Sequence, residues 1–185
     1  GLNLYTQMLA SAVRELKGEK VDGAKTTPTA PIISENSIII DLPMPAYLPT
    51  DYIPELSLRL QLYRRIGGLS KVEDVESMRG ELRDRFGELP AAVEGLLFQI
   101  EVKTLAQAAN ATHVLNRDAK IEIRLPYLVE VNREQLAREL GDYTAVTRTA
   151  VELILDPAQE GTAWRDRLIE VLSYLAQHVR AAVGA

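Results

Sequence analysis

The side chains that most often carry out chemistry are scarce in this chain of 185 residues. There is no cysteine, which excludes a thiol nucleophile, a disulfide and a thiolate metal site. The two histidines, His113 and His178, stand far apart and in no H-E-x-x-H pattern, so no common zinc set is present. Each is read as a structural or surface residue. Gly67-Gly68 lacks the lysine and serine or threonine, in register, of a phosphate-cradling loop. Nothing local assembles a Ser–His–Asp site. No catalytic residue, cofactor site or metal site is therefore assigned. Acids outnumber bases 26 to 21, a net charge of −5, so no overall basic field draws phosphates in. The best local basic patch, Arg117, Lys120 and Arg124, is interrupted by Asp118 and Glu122. Arg64-Arg65, the one adjacent basic pair, reads as solvated helix charge.

What remains is carboxylate chemistry on one helix. With Val72, Val75, Met78, Leu82 and Phe86 turned inward at 100° per residue, Glu73, Ser77, Gly80 and Asp84 point outward. Glu81 falls on the flank, one turn from Ser77 and Asp84. Gly80 costs about 1 kcal/mol in a helix interior relative to alanine, and its bare spot beside acids would admit a partner backbone or an arginine fork. Glu73, Ser77, Gly80, Glu81 and Asp84 are thus the candidate partner-binding residues. The plainer alternative is a solvated face on which Glu81 pairs with Arg85 at i,i+4, worth about 0.2–0.5 kcal/mol.

The elements that must position this face follow from periodicity. Residues 1–17 read as an amphipathic helix through Leu2, Tyr5, Leu9, Val13 and Leu16, and 18–33 as a Gly, Thr, Pro and Lys-rich linker. A short isoleucine-rich strand is expected at 37–42. Four prolines, Pro43, Pro45, Pro49 and Pro54, make 43–54 an extended connection. Three helices follow. The first spans 54–66, with Leu56, Leu60 and Tyr63 on one face, and is stopped at Gly67-Gly68. The second spans 70–86, with a capping box of Ser70 and Glu73. The third runs from Pro90 to about 109, with Val93, Leu96, Leu97, Ile100 and Leu105 inward. Beyond 110 the period changes to two. Strands at 112–115 and 121–125 pair through a turn at 116–118, and Asn132 caps a short helix ending at Gly141. Two more strands, 144–147 and 151–155, precede a last helix with Trp164, Leu168, Leu172, Leu175 and Val179 as its stripe. The class is α+β, with a helical front half followed by antiparallel hairpins. No run approaches the roughly 18–20 apolar residues of a membrane span.

Three stretches have a combined signature. They are L-N-L-Y-T-Q-M-L-A-S-A-V-R-E-L-K-G at the start, L-P-M-P-A-Y-L-P-T-D-Y-I-P-E-L-S-L-R-L-Q-L-Y-R-R-I at 42–66, and E-L-R-D-R-F-G-E-L-P at 81–90. Together, from Leu2 to about Leu105, they resemble the C-terminal regulatory domain of the bacterial transcription-repair coupling factors. From 110 onward the chain is compatible with that family only in its order of elements. The resemblance implies a parent that is a cytoplasmic, ATP-driven DNA translocase of transcription-coupled nucleotide excision repair. Such a parent displaces stalled RNA polymerase and recruits UvrA. It implies that 1–17 is a helix from the end of the motor region, 18–33 its linker, and 34–185 the regulatory domain. It implies packing on a UvrB-like N-terminal domain of the same protein, which masks the UvrA-binding surface. The family's acids at E-L-x-D-R-F-G face basic groups of that partner, and the matching positions are Glu81 and Asp84. The position of Gly80 need not be glycine in the family. The chain starts Gly1-Leu2 without a methionine, which fits a piece of a longer protein. No direct contact with nucleic acid or membrane is expected of the domain. The readings set against this one are a stand-alone enzyme and an independent nucleic-acid-binding or protein-docking module.

Overall fold

The computed structural model describes residues 38–155 and 163–179. The helix expected at 1–17 and the linker at 18–33 lie outside the described residues. The observed order is β1 (Ile39–Asp41), α1 (Leu56–Gly67), α2 (Val72–Phe86), α3 (Ala91–Ala108), β2 (His113–Arg117), β3 (Lys120–Arg124), α4 (Arg133–Leu140), β4 (Thr144–Val146), β5 (Ala150–Ile154) and α5 (Ala163–Tyr174). A π-helical turn, Leu175–Val179, extends α5. The α+β class and its helical front half are as the periodicity predicts. Among the described residues the chain divides into two compact units, one of 43–101 and one that joins β1 to the residues from 102 onward.

The first unit holds α1, α2 and most of α3 around a core of Leu48, Ile53, Leu62, Ile66, Val75, Met78, Leu82, Val93, Leu96, Leu97 and Ile100. The face of α1 is rotated from the one expected. Arg59, Leu62 and Ile66 are its buried residues, whereas Leu56, Leu60 and Tyr63 are only partly covered. The reason is Arg59, which is 7% exposed and donates from Nη1 to the carbonyls of Ile53 (2.8 Å) and Pro54 (2.9 Å). A proline-rich connection has few N–H groups to pair its own carbonyls, so an arginine drawn inward satisfies two of them and turns the helix.

The capping box on α2 does not form. The helix begins at Val72 behind an extended Lys71 that makes no side-chain cap, and Ser70 is exposed. Leu69 packs on the core just before this point, and Glu73 and Asp74 occupy the first turn, where the helix dipole favours carboxylates. Gly87 ends the helix at φ +87, in the left-handed region that favours glycine.

Helix α3 is buried through its middle, and Gly95 marks where the proline-rich connection crosses it. A Cβ at Gly95 would lie 1.9 Å from the carbonyl oxygen of Pro45. Tyr47 N–H donates to the Ala92 carbonyl at 3.1 Å nearby. Leu105, expected inward, is half-buried.

The second unit is built on a five-stranded sheet of order β1-β2-β3-β5-β4. β1 runs parallel to β2, and every other neighbouring pair is antiparallel. The β2–β3 turn is tighter than expected. It consists of Asp118 and Ala119, both at positive φ, and β2 extends to Arg117. A two-residue turn of this kind matches the twist of the strands. It places Val114 opposite Ile123 and Ile121 opposite Asn116. Ile40, Val114, Ile121, Ile123, Val151 and Leu153 are buried on one face. Asn132 caps α4 by accepting from Gln135 N–H at 3.1 Å, and Gly141 ends it at φ +97. On α5 the buried residues are Leu168, Val171 and Leu172, with Leu175 following in the π-helical turn, while Trp164 is half-buried. The side chain of Val179 lies outside the described set.

The crossing at Gly95 gives a direct test. Gly95→Ala forces backbone against backbone, so we expect a loss of about 2–3 kcal/mol in denaturant-induced unfolding. A change below about 0.5 kcal/mol, typical of an ordinary surface substitution, would show that the crossing does not constrain this position.

Candidate docking surface

The outer side of α2 carries Glu73, Ser77 and Asp84 as the helix arithmetic places them, whereas Gly80 is more covered than that arithmetic expects. Glu73, Ser77 and Asp84 are exposed, and Gly80 and Glu81 are half-buried on the flank. Val75, Met78 and Leu82 anchor the opposite side, with Val72 and Phe86 partly covered. Phe86 meets the Tyr52 ring edge-on at 5.8 Å between centroids. The Tyr52 hydroxyl donates toward the carbonyls of Leu82 (3.1 Å) and Gly87 (3.0 Å), which pins the C-terminal end of α2. Burial pushes the Tyr52 phenol up, and Glu88 nearby adds to the shift.

The five candidates differ in how far they are engaged within the chain. Ser77 Oγ donates to the Glu73 carbonyl at 3.0 Å, a bond internal to the helix. No atom lies within 4 Å of a Cβ built on Gly80, so the interior of this domain does not require glycine there. Glu81 is fully engaged. Its Oε1 accepts from Arg65 Nη1 (2.9 Å) and from Arg85 Nη1 (3.2 Å), and its Oε2 accepts from Arg65 Nη2 (2.6 Å). Arg85 also lies over the Phe86 ring at 5.0 Å. The i,i+4 pair with Arg85 was legible in the sequence. The two-pronged bridge from Arg65 on α1 was not, because its partner lies across a turn on another helix. Glu76 is tied to Arg79, which also donates from Nε to Glu94 of α3 at 3.0 Å. Among the described residues, neither Glu73 nor Asp84 is held in an ion pair.

This geometry sets the electrostatics. Hydrogen bonding from the Arg65 fork holds the Glu81 carboxyl below the ordinary carboxylate range, against the opposing effect of burial, and Arg85 reinforces it. The same bond raises Arg65.

The other sites considered on sequence grounds take ordinary structural forms. In the basic patch, Lys120 pairs with Glu152 (3.0 Å), while Arg124 (2.9 Å) and Arg117 (3.9 Å) both approach Glu122. A phosphate would have to compete with those carboxylates. His113 Nδ1 lies 2.9 Å from Thr112 Oγ1, and burial, followed by Arg124, lowers its pKa. His178 is exposed, with its ring 4.6 Å from that of Tyr174. Among the described residues no group of three or more His, Cys, Asp or Glu side chains could hold a metal ion. No described helix is long and apolar enough to cross a membrane.

The TRCF domain family matches residues 42–136, from the proline-rich connection to the middle of α4. The chain belongs to this family. The match begins later than the resemblance read from the sequence, which started at Leu2, and extends further toward the C-terminus. The chain is similar to the transcription-repair-coupling factor of Staphylococcus epidermidis, 33% identical over 141 residues that make up 75% of this chain and 11% of that protein. It is similar to that of Rickettsia typhi, 34% identical over 126 residues, 67% of this chain and 10% of that protein. It thus spans about a tenth of the length of the curated relatives it matches. Its fold is shared with the crystal structure of the C-terminal domain of transcription-repair coupling factor, at a TM-score of 0.64 and 20% identity over 79% of this chain and 95% of that one. The matched residues include all of α2, and the E-L-R-D-R-F-G stretch within them contains both Glu81 and Asp84.

Two tests follow from this geometry. In a carbon-detected NMR titration, Glu81 should ionise below the ordinary carboxylate range, and Arg65→Gln should move it up. Because the folded value is lowered, the bridge stabilises above the ordinary range and is lost as pH falls through the lowered value. A Glu81 that titrates identically in both proteins would contradict the bridge. Gly80→Ala, with open space for the added methyl, should stabilise the domain by about 1 kcal/mol. A loss of stability at Gly80 would show a packing demand that the open space does not predict.

Proposed function

We propose that this domain is a non-catalytic regulatory module of a transcription-repair coupling factor, itself an ATP-dependent DNA translocase acting in the bacterial cytoplasm. It packs on the parent's UvrB-like N-terminal domain and masks the surface that UvrA must reach. UvrA, RNA polymerase and DNA are contacted by the parent, and the domain touches them only indirectly. The observation that supports this reading is the outer face of α2, a helix inside the residues that match the family, where Asp84 and Glu73 are exposed and form no ion pair among the described residues.

A carboxylate presented in this way accepts an arginine or lysine of a partner through charge-assisted hydrogen bonds. Such contacts are individually weak. A domain tethered to its target at an effective concentration of roughly millimolar needs no more than that. Weakness also makes the mask reversible, because a motor rearrangement of a few kcal/mol can then shift the closed state to the open one. The neutralised basic patch favours this reading over an independent nucleic-acid-binding module.

The test uses the full-length coupling factor that carries this domain. Asp84→Lys, alone and together with Glu81→Lys, should leave the fold intact and lower the UvrA concentration needed for half-saturation by about tenfold, equivalent to about 1.4 kcal/mol of lost masking. The single variant is the cleaner one, since a lysine at position 81 would also face Arg65 and Arg85. UvrA capture equal to that of the unaltered protein in both variants would refute the docking assignment.

A further inference from the structure

We infer that Arg65 competes internally with the partner for Glu81, so that a docking cation meets Asp84 first and gains Glu81 only by displacing the Arg65 fork. The inference rests on the docking reading above and specifies how that contact is tuned.

The geometry supports it in three ways. First, both oxygens of Glu81 are already filled, by two bonds from Arg65 and one from Arg85. A carboxylate presents about four acceptor positions, so little of Glu81 is left to a newcomer. Second, the cluster is not acidic as a whole. Two arginines against Glu81 and Asp84, one turn apart, sum to zero, so an approaching cation gains little at Glu81 until one arginine moves aside. Third, Arg65 can move aside. Its side chain is 50% exposed against 32% for Glu81, and it sits in the last turn of α1. Asp84 stands in the opposite situation. Its neighbours one turn back are Gly80, which has no side chain, and Glu81, whose oxygens Arg65 and Arg85 already hold, and the helix ends two residues on at Phe86. The flanking Arg83 and Arg85 are adjacent in sequence and so project to other sides of the helix. The partner therefore gains a contact at Asp84, whereas at Glu81 one arginine replaces another. That exchange keeps the mask weak. Without Arg65, the exchange becomes a gain.

The experiment titrates UvrA against the full-length coupling factor carrying this domain, unaltered or with Arg65→Gln, and repeats both with Glu81→Gln added. Removing Arg65 should strengthen the mask and raise the half-saturating UvrA concentration about two- to fivefold, the range of one exposed ion pair. Arg65→Lys, which keeps the charge but loses the fork, should give a smaller rise. With Glu81→Gln present the rise should vanish. Unfolding midpoints check that each variant is folded. If Arg65→Gln leaves half-saturation unchanged or lowers it while Asp84→Lys still opens the protein, the competition is wrong and the docking reading stands. A rise that persists with Glu81→Gln also overturns the competition, since it would reflect net charge alone. If neither Asp84→Lys nor Arg65→Gln has any effect, the docking reading itself fails.

Discussion

The buried guanidinium of Arg59 is the contact on which the first unit depends. The connection before α1 contains four prolines, which cannot donate backbone hydrogen bonds, and its carbonyls must be paired from elsewhere. Arg59 satisfies Ile53 and Pro54, the Tyr63 hydroxyl accepts from Leu48 N–H at 2.7 Å, and Ile53 N–H closes on the Pro49 carbonyl at 3.0 Å. A buried carbonyl left without a donor costs about 1–3 kcal/mol, so these few bonds hold an irregular segment that has no ladder of its own. Ile53, Pro54, Arg59 and Tyr63 among these belong to the Y-I-P…R-L-x-x-Y-R-R-I signature. The signature therefore has a physical content: it is the set of donors and rings that immobilises a chain of prolines.

That immobilised segment fixes what lies on either side of it. Pro45 rests in the notch at Gly95 on α3, and Tyr52 reaches the carbonyls that end α2. Arg59 turns α1 so that Arg65, on its outer side, can reach Glu81 on α2. Arg79 ties α2 to Glu94 of α3 in the same manner. The outer face of α2 is thus presented on a helix held at its C-terminal end, along its buried stripe and at two ion pairs. A docking surface benefits from such rigidity, because little conformational entropy remains to be lost on contact.

The acidic character that the composition shows as a net −5 resolves locally into two kinds of carboxylate. Glu76, Glu81, Glu94, Glu122 and Glu152 are tied to arginines or lysines within the domain. Glu73 and Asp84 are exposed on the outer side of α2. The basic residues of the β2–β3 hairpin are neutralised by the same kind of pairing. Net charge alone cannot separate the two kinds, since pairing depends on which helix or strand stands opposite.

The sequence by itself determined the element types, the inward stripe of α2, the outward position of Glu73, Ser77 and Asp84, the Asn132 cap and the family signature. These are local properties, set by a period of 3.6 or 2 and by side chains that act within one turn of the chain. Tertiary structure alone decided the rest. It rotated α1 onto Arg59, because unpaired carbonyls elsewhere needed a donor. It replaced the Ser70 capping box with a later start, next to the packed Leu69. It placed β1 beside β2 across some seventy residues, a pairing for which no short-range signal exists. And it brought Arg65 to Glu81, which made the flanking carboxylate an internal ion pair while Asp84, three residues on, forms none among the described residues.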